Sequence, residues 1–121
     1  MTRAVFKNTK AFPSDERFGL TSQMRRASAS IAANLAEGCG RRSDGEMGRF
    51  IQIAMGSGAE LSYHFLLARE LGFLEDKLYQ GLDSELGAVM GMMSSLSHKI
   101  RSQSVDEKKF GPQTIELKAK S

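Results

Sequence analysis

Apolar residues recur along most of this chain at spacings of three and four, and no stretch alternates in the manner of a strand. From about Leu20 to Gly38, the positions Leu20, Met24, Ala27, Ile31 and Leu35 mark one stripe of an amphipathic helix. A third segment, Asp44 to Leu71, carries Met47, Phe50, Ala54, Leu61, Phe65, Ala68 and Leu71 in a heptad-like stripe. Its start, Ser43-Asp44-Gly45-Glu46, has the Ser-x-x-Glu pattern of a capping box, and Gly72 is a natural stop. After the tight connection Phe73-Leu74, a fourth helix begins at Glu75-Asp76. There Leu82, Leu86, Val89, Met93, Leu96 and Ile100 follow the four-three alternation of a left-handed bundle seam. Ahead of these, Met1 to Ala11 reads as one short helix with Val5 and Phe6 as its apolar residues. Phe12-Pro13 ends it, because the residue before proline is pushed out of the α region. Ser14-Asp15-Glu16-Arg17 reads as a polar turn, and Gly19 as a second break. Gly38-Cys39-Gly40 closes the second helix, with glycine suited to a left-handed cap.

These elements predict an all-α fold: an antiparallel up-down four-helix bundle over 1–103, followed by a flexible Lys-containing tail, 104–121. The first helix is anomalous. At about 17 Å it lies beside partners of about 40 Å, which leaves an apolar groove open. Either another chain covers that groove or the natural start lies upstream of Met1. The second helix is unusually small-sided, with Ala27, Ser28, Ala29, Ser30, Ala32, Ala33 and Ala36. Small side chains admit close neighbours on two faces, one within the bundle and one between chains.

Composition narrows the class without naming a function. The 121 residues fit one domain, and a single cysteine, Cys39, leaves no intrachain disulfide. The longest uncharged run, Leu86 to Ser97, is shorter than the roughly 20 residues a membrane helix needs. The N-terminus lacks the apolar core of a secretory signal, so a cytoplasmic protein is expected. Net charge is +3, but it is unevenly placed: residues 1–49 carry +4, residues 50–98 carry −4 and residues 99–121 carry +3. From Arg17 to Arg49 every cation is arginine, the residue suited to bidentate phosphate or carboxylate contacts. Arg25 and Arg26 lie early in the second helix, Arg41 and Arg42 in the loop after it, and Arg49 one turn into the third. Helical rise separates the two groups by roughly 25 Å. In a ring each patch would repeat into a band able to bind a phosphate backbone without reading sequence. Phe18 and Phe50 read as core rather than as base-stacking residues.

Other chemistry finds little footing. Di-iron bundles need two Glu-x-x-His pairs, whereas Glu60 and His64 are four apart and stand alone, so no metal and no cofactor is expected. No Gly-x-Ser-x-Gly elbow and no phosphate-binding loop is present. Gly56 and Gly58 lie inside a helix, where each costs about 1 kcal/mol relative to alanine, so close helix or subunit packing is the expected compensation. Asn34, Glu37 and Glu60 are polar residues beside the buried stripes, expected to bond between helices or subunits. Met90, Met92 and Met93, with Met47 and Met55, read as core filling.

Three stretches resemble a known family: Phe12-Pro13, then Glu16 to Ala27 (ERFGLTSQMRRA), then Ser30-Ile31 with Asn34-Leu35-Ala36-Glu37-Gly38. Gly56-Ser57-x-x-Glu60-Leu61 and Leu71-Gly72-Phe73-Leu74 extend the match, over about residues 3 to 100. The family is the bacterial four-helix-bundle proteins encoded in intervening sequences of large-subunit (23S) ribosomal RNA genes. It is related to the accessory variability determinant of diversity-generating retroelements. The resemblance implies a cyclic homopentamer without enzymatic activity. It also implies a basic surface, to which Arg25, Arg26, Arg41 and Arg42 would contribute, that holds RNA or DNA in the retroelement relatives. Asn34, Glu37 and Glu60 would be structural. A protein-protein adaptor, for a partner such as a reverse transcriptase, is the alternative. An enzyme site joining Glu37, Glu60 and His64 is the weakest reading.

Overall fold

A computed structural model describes residues 1–10, 12 and 19–110, with side chains to residue 103. Four helices follow in order: α1 (Thr2–Thr9), α2 (Leu20–Cys39), α3 (Asp44–Glu70) and α4 (Asp76–Phe110). No strand occurs among the described residues. The turn at Ser14 to Arg17, Phe18 and the segment 111–121 lie outside them.

Local chemistry sets the helix ends. The Glu46 amide donates to the Ser43 hydroxyl at 3.1 Å, which satisfies one of the open donors at the start of α3. At the other end, Gly72 adopts φ +81°, the only positive φ in the described chain. Its amide donates to the Arg69 carbonyl at 3.0 Å, and the Phe73 amide donates to the Ala68 carbonyl at 2.9 Å. This pair of bonds is a Schellman cap, and it reverses the chain into α4. α2 ends differently from the sequence expectation. Gly40 has φ −87°, in the right-handed region; its amide donates to the Glu37 carbonyl at 3.1 Å, and the Arg41 amide donates to the Gly38 carbonyl at 3.1 Å. A tightened last turn replaces the left-handed cap.

Each helix packs chiefly on its neighbour in sequence: α1 on α2, α2 on α3, α3 on α4. Between α2 and α3, Arg26 pairs with Glu60, Ser30 meets Ser57 at 2.8 Å, and Gly38 lies against Phe50. Partner numbers therefore fall along α3 as they rise along α2. The same inverse order links α3 to α4, through Gly58 with Met90, Gln52 with Ser97 and Gly48 with Ile100. The core collects Val5, Met24, Ala27, Ile31, Ile51, Leu61, Phe65, Leu82, Leu86, Met93 and Ile100.

Several positions depart from the stripes read in the sequence. Phe6 is 42% exposed and Leu71 53% exposed, so neither is core. Ile51, not Phe50, is the buried residue at the start of α3, while Phe50 is half-buried beneath two guanidinium groups. α4 runs past residue 103 to Phe110, so the helix extends into the segment read as tail. Its sequence there, Asp106-Glu107-Lys108-Lys109, is of good helix formers apart from Asp106.

α1 covers only part of α2. The Thr2 hydroxyl donates to the Ser28 carbonyl at 3.3 Å, and the Arg25 Nε donates to the Thr9 hydroxyl at 2.9 Å. The Met1 amino group reaches Glu85 of α4 at 3.5 Å. On the α4 stripe that continues from Glu85, Val89 and Leu96 are half-buried and Met92 is 56% exposed. Leu35 of α2 is also half-buried.

Candidate nucleic-acid interface

The five arginines singled out in the sequence divide by what they touch. Arg25 fastens α1: besides its bond to Thr9 it lies over the Phe6 ring at 4.6 Å and reaches the Phe6 carbonyl at 3.4 Å. Arg26 pairs with Glu60 across α2 and α3 and also bonds Gln23. Arg41 pairs with Glu37 one turn earlier, approaches Glu46 at 3.9 Å and lies over Phe50 at 4.9 Å. Three of the five guanidinium groups are thus held by this chain's own oxygen atoms and rings. Arg42 is exposed and forms no ion pair among the described residues. Arg49, also exposed, rests on Phe50 at 4.9 Å and likewise has no acidic partner among them.

Arg49 borders a groove of about 390 Å³ between the start of α3 and the distal part of α4. Asp44, Arg49 and Gln52 line it from α3, and Ser97 and Arg101 from α4. Arg101 has no acidic partner among the described residues. The groove thus presents two cations, one from each helix, and one carboxylate, Asp44. Arg101 is not among the arginines singled out in the sequence.

The remaining candidates have simpler surroundings. Asn34 donates to the Ser30 carbonyl at 2.9 Å and to the Ser30 hydroxyl at 3.1 Å, inside its own helix. Glu37 pairs with Arg41 in the loop just after α2, and of the three only Glu60 reaches across to another helix. A Cβ built on Gly58 would collide with the Met90 Sδ, so α3 and α4 approach closely there. Gly56 has no atom within 4 Å of such a Cβ, so nothing among the described residues packs on it. His64 lies 3.5 Å from Glu60 and its Nδ1 is buried without a partner. Neither described cavity joins Glu37, Glu60 and His64. Among the described residues no group of three or more His, Cys, Asp or Glu side chains could hold a metal. No described helix is long and apolar enough to cross a membrane.

One family model, described as 23S rRNA-intervening sequence protein, matches residues 1–95. The chain belongs to this family. The match takes in α1, α2, α3 and most of α4, and so Arg49 and Gln52, while Ser97 and Arg101 lie just beyond it. No curated protein matches the chain.

Proposed function

We propose that this member of the intervening-sequence family is a non-enzymatic, self-associating helical bundle of the antiparallel up-down type. Its ligand is the phosphate backbone of RNA, or of DNA, held without strong sequence preference. The observation that carries the reading is the pair Arg49 and Arg101, facing one groove without acidic partners among the described residues. Arg42 adds a third exposed guanidinium on the loop that leads into α3. Arg25, Arg26 and Arg41 belong to the scaffold, because removing a guanidinium from its oxygen partners carries a cost that a phosphate contact must first offset.

Self-association, as a ring of five copies by resemblance, has its own support. Between Phe50 and Ala68 the only formal charge is Glu60, yet Ile53, Tyr63 and Leu66 of this stretch are exposed, Tyr63 by 60%. A helix apolar on nearly all sides is a buried helix, and in this chain alone α3 is not fully covered. Repetition around a ring would multiply the groove arginines into one continuous basic track.

The test is a salt titration of binding to a short single-stranded RNA. Replacing Arg49 or Arg101 with Gln should lower the slope of log affinity against log salt by about 0.7 each. Arg25→Gln should leave the slope unchanged. Affinity that ignores salt, or a slope indifferent to Arg49 and Arg101, rejects the reading.

A further inference from the structure

Resting on that reading, we infer that the groove seats a nucleobase as well as a phosphate, with Gln52 contacting the base edge. The inference comes from a hydrogen-bond inventory. A glutamine amide has two N–H donors and one carbonyl acceptor. In Gln52 one N–H donates to the Ser97 hydroxyl at 3.1 Å, and no other hydrogen bond engages the side chain among the described residues. One N–H and the carbonyl of the same amide are left over, on a residue that lines the groove. Ser97 is buried, so the bond to it holds the amide in one orientation.

A donor beside an acceptor is the complement of a nucleobase edge, where a donor also stands beside an acceptor. All four bases carry such a pair, so Gln52 would demand a base without choosing which. That is consistent with weak sequence preference and distinct from pure backbone binding. At about 390 Å³ the groove is in the size range of small-molecule sites and accommodates one unstacked nucleotide. Arg49 and Arg101 would hold the flanking phosphates. Asp44, the one carboxylate on the groove, provides an acceptor for an exocyclic amine and disfavours a ligand that is all anion.

The experiment compares two probes of equal length, about ten nucleotides. One is ordinary single-stranded RNA of mixed sequence, the other the same backbone with every base removed, both read by fluorescence anisotropy at low salt. The full chain should bind the base-free strand about tenfold more weakly. Gln52→Met should lose the same factor on RNA and nothing on the base-free strand. Arg49→Gln should weaken both strands equally. Gln52 is itself exposed but bonds the buried Ser97 hydroxyl, so its replacement should lower the melting temperature slightly while keeping the helix content. Ser97→Ala, which frees the amide to rotate, should give a smaller loss, about threefold, on RNA alone. Equal binding of the two strands, or Gln52→Met matching the parent on RNA, overturns the base seat and leaves backbone binding standing. Failure of the parent chain to bind either strand overturns the underlying reading as well.

Discussion

The contact between Gly58 and Met90 sets the distance between α3 and α4, and a double-mutant cycle measures it. Gly58→Ala does two things. It improves the intrinsic helix propensity of an interior position by about 1 kcal/mol. It also places a methyl group where the Met90 Sδ now lies, with the Met90 Cε at 3.4 Å and Cγ at 3.6 Å from the new carbon. Overpacking of this kind costs about 1–3 kcal/mol, towards the lower end here because a thioether chain is flexible. The net change expected is a loss of about 0–2 kcal/mol. In a Met90→Ala background the obstacle is gone, and Gly58→Ala should then stabilise by about 0.5–1 kcal/mol. The coupling between the two sites is thus about 1–3 kcal/mol, within the range found for residues in direct contact. Urea denaturation of the four proteins, followed by helical circular dichroism, reads each value. Effects that simply add, with Gly58→Ala equally stabilising in both backgrounds, would refute the close approach and with it the packing reason for the glycine.

Three further outcomes are expected. Ser43→Ala removes the acceptor of the Glu46 amide and should cost about 1 kcal/mol in a thermal melt, whereas Ser43→Asp should cost little. Arg25→Ala removes the bond to Thr9 and the contact with the Phe6 ring. Amide hydrogen exchange should then quicken in α1 while α3 keeps its protection, and uniform quickening would argue against a local role. Tyr63→Glu places a charge on the exposed apolar side of α3. Light scattering should show smaller assemblies with helix content intact, and unchanged mass would remove that side from the interface.

Helix positions were legible because each buried stripe needs its own periodicity, and the caps at Ser43 and Gly72 need particular residues. The charge arrangement was not. Whether Arg26 finds Glu60, or Arg49 has no carboxylate partner among the described residues, depends on the register between two helices, which no single helix encodes. The choice between Phe50 and Ile51 as the core residue is a matter of about 100° of helix rotation. The two arginines over Phe50 resolve it, by making that ring more useful at the surface. Exposure of Phe6 has the same cause, since Arg25 lies over it. The extension of α4 to Phe110 was hidden because a helix beyond the core needs no apolar stripe, only good helix formers.

The packing of every helix chiefly on a neighbour in sequence bears on how the protein is made. Native contacts close short loops, so little chain entropy is lost before they reward the polypeptide. Topologies of this local kind reach the native state in microseconds to milliseconds. The hairpin of α2 and α3 is complete once residue 70 has emerged from the ribosome, before α4 emerges. Synthesis at about 5–20 residues per second is far slower than such folding, so the nascent chain acquires its shape helix by helix as it emerges.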